Sequence, residues 1–166
     1  MPEPRKIAIN TGPLLAIVAA LDDLSVLQLL YHEVLVPFEV CQEVLAAGSN
    51  GFAVKEFENA TWLRKQSTPI HLPSLLQNSL DRGEASVIQL ALNQKIQTVC
   101  IDEIAGRRIA SLSGLSVTGS IGILLRAKKE GRFLSMQDAI RKMQEKGIWL
   151  SERLVAAALK EAGESV

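Results

Sequence analysis

Asp102 stands directly behind the apolar run Ile96-Gln97-Thr98-Val99-Cys100-Ile101, which places a carboxylate at the end of a buried strand. Asn10 repeats the arrangement after Ile7-Ala8-Ile9, and Pro37 closes Val34-Leu35-Val36 and leads into a helix carrying Glu43. Open α/β sheets gather functional groups in the crevice beyond the carboxyl ends of their strands, so these residues are expected along one edge of one sheet. Asp81-Arg82-Gly83-Glu84-Ala85 opens a further helix and adds Glu84 to the set. Clustered carboxylates repel one another unless a cation sits among them. Oxygen donors without Cys or His select Mg²⁺ or Mn²⁺ rather than zinc.

Each acid also has a structural reading. Asp81 and Glu84 have the spacing of a capping box. Asp102 could be the N-cap of the helix that follows it, with Glu103 favoured at the positive helix end. Glu39 and Glu43, one turn apart beside the apolar positions Val40, Cys41, Val44 and Leu45, would by default face solvent. The recurrence of acids at strand ends favours a site. His32 and His71 are too few and too far apart for a zinc site or a Ser-His-Asp arrangement. Thr118-Gly119-Ser120-Ile121-Gly122 lacks the spacing and the lysine of a phosphate loop and reads as a tight strand-to-helix turn.

Basic residues form two groups, Arg107 and Arg108 on the helix after Asp102, and Arg126, Lys128, Lys129 and Arg132 around the end of a later helix. Such runs usually solvate a face, but beside an acidic metal centre they could hold phosphates on either side of a scissile bond. With 18 basic and 18 acidic residues, the chain lacks the positive balance of a protein that coats nucleic acid, so only a local patch could bind it.

The elements that must position these residues are short continuous apolar runs alternating with helical patterns. Strands are expected at 6–10, 33–36, 97–101 and 115–118. Helices are expected over 13–31, 38–47, 81–95, 104–113 and from about 120. Continuous runs imply a mainly parallel sheet covered on both faces, hence a three-layer α/β/α sandwich in a single domain spanning 1–166. The stretch 48–78 reads as a variable insertion, with Trp62-Leu63-Arg64 as a short edge strand and Pro69 and Pro73 breaking regularity beyond it. Met136 to Lys146 and Glu152 to Ala162 read as amphipathic helices capped by Ser135 and Ser151. From about 135 onward, they either pack on the domain or form a subunit contact. Leu154, Val155, Ala158 and Leu159 supply the apolar stripe for a homodimer or higher homo-oligomer. Widely spaced Cys41 and Cys100 suggest reduced thiols, and the charged start Met1 to Lys6 suggests a cytoplasmic rather than secreted protein.

With those residues laid out, the chain resembles the PIN-domain superfamily, and more closely a PIN-like branch related to toxin-antitoxin ribonucleases of the VapC type. The matching pieces are Asn10-Thr11-Gly12-Pro13-Leu14-Leu15, Pro37-x-x-Val40-x-x-Glu43, Asp81-x-Gly83-Glu84-Ala85, Asp102-Glu103-x-x-Gly106-Arg107-Arg108-x-Ala110, Val117-Thr118-Gly119-Ser120-Ile121-Gly122 and Ala127-Lys128-x-x-Gly131. The resemblance implies Mg²⁺ or Mn²⁺ as cofactor and hydrolysis of RNA phosphodiesters. It makes Glu43, Glu84 and Asp102 catalytic and metal-binding, with Asn10 as a neutral ligand where many relatives carry an aspartate. Asp81, Glu103, Thr11 and Thr118 are secondary candidates; Arg107, Arg108, Arg126, Lys128 and Lys129 are candidate RNA contacts. RNA and a small antitoxin protein are the implied partners. The rival reading is a non-catalytic nucleic-acid-binding or protein-interaction module with a degraded metal site, favoured by Asn10. A Rossmann-type enzyme acting on a small molecule comes third, without its glycine fingerprint.

Overall fold

The computed structural model describes residues 5–133 and 135–164; the expectation drawn from the leading residues 1–4 lies outside them. Five strands form one sheet: β1 (Lys6–Ile9), β2 (Glu33–Val36), β3 (Arg64–Lys65), β4 (Thr98–Cys100) and β5 (Ser116–Thr118). Their order is β3-β2-β1-β4-β5 and every pairing is parallel. The chain moves outward from β1 through β2 to β3, then returns to β4 on the other flank of β1. That reversal makes the β1/β4 boundary the switch point where such sheets open a crevice.

Ten helices cover the described chain: α1 (Thr11–Leu21), α2 (Ser25–Leu30), α3 (Phe38–Leu45), α4 (Val54–Asn59), α5 (Ser74–Ser79), α6 (Arg82–Gln94), α7 (Ile104–Leu112), α8 (Ser120–Lys129), α9 (Met136–Glu145) and α10 (Glu152–Glu161). α6 packs on β1 and β4, with α3, α5 and α7 beside it, while α1 packs with α8 and α9. These layers give the three-layer α/β/α architecture. α1 is buried nearly all round: Leu14, Ile17 and Val18 join the main core, while Ala16, Ala19 and Ala20 join a second core with Leu124, Met136, Ile140 and Met143. A helix apolar on every side belongs between layers, and its small alanines let α8 and α9 approach closely.

Two expectations change. The stretch 48–78 is part of the core rather than an insertion. Phe57 on α4 is 1% exposed, and Lys65 of β3 donates to its carbonyl at 2.8 Å while lying 4.4 Å from the centre of its ring. Pro73 does not end regular structure but precedes α5 as its N-cap, where the absent N–H costs nothing. The C-terminal stripe is also largely spent within the chain. Ala158 and Leu159 are buried against α8 and α9, leaving Leu154 41% exposed. Cys100 is buried and Cys41 half-buried, each a free thiol. Among the described residues no helix is long and apolar enough to cross a membrane.

If α4 is integral to the core, Phe57→Ala removes a fully buried ring and should lower stability by about 3–5 kcal/mol. Urea denaturation reads this directly; a loss near zero would return the segment to the status of an insertion.

Candidate active site

Parallel pairing levels the strand ends. Ile9 lies opposite Cys100 and Cys100 opposite Thr118, and the ladder runs one step further through Asn10 N–H to the Cys100 carbonyl and Ile101 N–H to the Thr118 carbonyl, both at 3.0 Å. Asn10 and Asp102 therefore leave the sheet side by side. Pro37 turns the chain after β2 into α3, which carries Glu43 back toward them.

Asn10 is 7% exposed, and its Oδ1 is buried without a hydrogen-bond partner among the described residues. An unmet acceptor of this kind costs about 1–3 kcal/mol, so the position is built for something that accepts its lone pairs. Glu43 supplies a neighbouring oxygen. A Cβ on Gly83 would lie 3.0 Å from Asn10 Oδ1 and closer still to Glu43 Oε1, so both oxygens converge over the bare first turn of α6. Glu43 is oriented by Thr11, whose hydroxyl donates to Oε2 at 2.7 Å.

Glu84 is buried and belongs to a complete capping box: its backbone N–H donates to Asp81 Oδ1 at 2.9 Å, and its Oε2 accepts from the Asp81 N–H at 3.3 Å. Its Oε1 points toward Gly106, 3.2 Å from where a Cβ there would stand. Burial, followed by the Asp81 carboxylate, pushes its pKa up to about 7, with the charge of Glu103 adding to the shift. Asp102 is exposed, and its Oδ1 accepts from the Ser120 N–H at 2.7 Å. The structural role expected of Asp102 thus shifts: it caps α8 rather than its own helix, for which Glu103 occupies the N-cap position. The Thr118-Gly119-Ser120 segment, read from the sequence as a tight strand-to-helix turn, is what supplies this donor.

Each acid is held by one oxygen and keeps another free. Glu43 Oε1, Glu84 Oε1, Asp102 Oδ2 and Asn10 Oδ1 accept no hydrogen bond among the described residues. Those hard oxygens suit Mg²⁺ or Mn²⁺, and the orphaned Asn10 Oδ1 is the strongest sign of fit. The acids are strung along the edge rather than drawn into one cage: among the described residues no three His, Cys, Asp or Glu side chains form a metal-holding group.

Only part of the expected basic footprint is here. Arg107 donates to the Ile101 carbonyl at 2.8 Å, and its Nη1 lies 2.9 Å from a notional Gly119 Cβ that would also stand 2.7 Å from Asp102 Oδ1. Arg108 is exposed one residue along. Thr118 makes only a 3.4 Å contact to the Gly119 carbonyl. Arg126, Lys128 and Lys129 do not join the acids, because α8 begins at the acidic edge and carries its last turn away from it. Lys128 binds the Ala162 carbonyl and Glu164, whose carboxylate also accepts from the N–H groups of Met136 and Gln137; it fastens the C-terminal helices. Arg126 contacts Tyr31, and Lys129 is exposed. Glu39, expected on a solvated face, is 2% exposed and accepts from the Ile70 N–H at 3.0 Å.

Glu84 yields a pH prediction. In metal-free buffer, between its ordinary value of 4.5 and about 7, the folded protein retains a proton the unfolded chain has released, so stability falls as pH rises through that window. Glu84→Gln should flatten this slope, which is at most about 1.4 kcal/mol per pH unit. Denaturant midpoints across the window measure it, and parallel wild-type and variant curves would refute the assignment.

No curated protein sequence matches the chain. The family model DUF3368, described as a PIN domain, matches residues 6–164, from the first residue of β1 to the carboxylate that ties down α9. Switch-point geometry, oxygen donors at the strand ends and a match over nearly the whole length lead to one assignment: the chain belongs to the PIN-domain family.

Proposed function

We propose that this PIN domain is a metal-dependent ribonuclease of the toxin-antitoxin kind, with RNA as substrate and a small antitoxin protein as partner. The observation that carries the reading is the set of uncommitted oxygens on Asn10, Glu43, Glu84 and Asp102, ranged along the crevice of a nuclease-type fold. Mg²⁺ or Mn²⁺, when bound, supplies Lewis-acid charge that polarises a phosphate and activates water. Glu43, Glu84 and Asp102 would hold the ion, with Asn10 as a neutral fourth donor. Thr11 and Ser120 fix the orientations of Glu43 and Asp102, and a cation beside Glu84 would favour its ionised form. Arg107 and Arg108, on the helix that follows Asp102, would receive backbone phosphates at the same edge.

A second reading, a binding module without catalysis, draws on the amide at position 10 and on the spread of the acids along the edge. Asn10→Asp separates the two, since it adds a charge in an almost identical shape. On mixed RNA with Mg²⁺ or Mn²⁺, Asn10→Asp should cleave faster than wild type. Glu84→Gln combined with Asp102→Asn should abolish cleavage by both, and chelator should do the same. Cleavage that survives the double substitution is contamination. Absence of cleavage by wild type and Asn10→Asp on several RNAs would select the binding module. Calorimetric Mn²⁺ titration gives an independent check: Asp102→Asn should weaken binding, and equal affinity would remove Asp102 from the site.

A further inference from the structure

The edge of the sheet where the strands begin holds a concavity of about 590 Å³, lined by Arg5, Lys6, Tyr31, Lys95, Gln97 and Arg126 together with Ile96 and Thr98. We infer that it is a second binding site, for a phosphate group carrying at least two negative charges on a ligand of nucleotide size. It lies at the opposite end of the strands from the acids and does not rest on the metal reading.

Four cations reach this cavity from separate parts of the fold. Arg5 and Lys6 lead into β1, Lys95 terminates α6 just before β4, and Arg126 comes from the last turn of α8. Lys6 is partly neutralised by Glu33 at 3.5 Å; Arg5, Lys95 and Arg126 have no carboxylate within 4 Å among the described residues. Cations at helix C-termini are ordinary, because they offset the negative end of the dipole, and that accounts for Lys95 and Arg126 individually. It does not account for the convergence of Arg5, nor for the state of the Arg126 guanidinium.

That guanidinium is pinned. Nη1 donates to the Tyr31 hydroxyl at 2.7 Å and the group lies 5.1 Å from the centre of the Tyr31 ring. Nη2 is buried and has no acceptor among the described residues. A buried charged donor without a partner is expensive, and a small turn of the guanidinium toward the cavity would let this arm meet a phosphate oxygen. Tyr31 is 6% exposed; because its oxygen accepts from Arg126, its own O–H remains available to donate. The cavity, half open to solvent, falls in the size range of small-ligand sites, and the convergence of four cations on it suits a doubly charged terminal phosphate. The phosphate could belong to a free nucleotide or to the 5′ end of an RNA.

Titration of the intact protein in chelator, with ATP, pyrophosphate and adenosine as probes, tests the site. ATP and pyrophosphate should bind saturably and adenosine should not. The exposed double substitution Arg5→Ser with Lys95→Ser, which leaves the Tyr31 contact untouched, should weaken binding by about tenfold or more. Arg126→Gln should do the same with folding verified by circular dichroism. Displacement of ATP by 5′-phosphorylated RNA, but not by 5′-hydroxyl RNA of the same sequence, would identify an RNA terminus as the source; failure of both to displace it would identify the free nucleotide. No saturable binding of either phosphate probe, or unchanged affinity in both variants, would overturn the site.

Discussion

The backbone hydrogen bonds that extend the parallel ladder past the last strand residues govern the geometry of the acid-bearing edge. Asn10 donates to the Cys100 carbonyl and Ile101 to the Thr118 carbonyl, so β1, β4 and β5 finish level rather than staggered. A side chain alternates faces along a strand, so a slip of one residue would send Asn10 to the other face and separate it from Glu43. The apolar residues that enforce this register, among them Ile7, Ile9, Val99 and Ile101, are each completely buried. Core packing and site geometry are here the same constraint viewed from two sides.

The acids at this edge also serve the fold, which explains how they persist so close together. Glu84 closes a capping box, Asp102 satisfies the first N–H of α8, and Glu43 accepts from a threonine hydroxyl. Each of these bonds stabilises an acid through one oxygen and leaves the other outward. The neutral amide at position 10 reduces repulsion at a buried point of the group, where a carboxylate would be hard to ionise without a counter-charge. Local electrostatic ease and strong cation binding pull in opposite directions at this residue, and the chain has taken the easier side.

The central sheet was legible because a strand buried on both faces must be apolar throughout, and Ile7-Ala8-Ile9, Val34-Leu35-Val36 and Val99-Cys100-Ile101 can hardly be anything else. Glu84 and Asp102 were legible for a related reason, since each follows an unmistakable element boundary. Glu39 was not, because helical periodicity places it beside solvent and only the return of the 66–72 segment buries it. The same segment hid α4 and α5, whose six residues each are too short to show a period. The basic run at the end of α8 looked like one footprint because sequence proximity says nothing about direction along a helix. In space Arg126 faces Tyr31, Lys128 faces the C-terminus and Lys129 faces water.

Gly83 and Gly119 lie where a single methyl group would collide with Glu43 and Asn10 in one case and with Asp102 and Arg107 in the other. The atoms in the way are side-chain ends, which can move aside, rather than backbone. Gly83 also lies in the first turn of a helix, where alanine is intrinsically the better helix former. Selection for folding alone would therefore favour replacing Gly83, and the replacement would be accommodated by turning the Glu43 carboxylate out of place. Thermal robustness and a correctly aimed acid are in direct competition at this position, so a stabilised descendant of this protein, chosen without regard to its chemistry, would be drawn toward a well-folded scaffold with a misaligned edge.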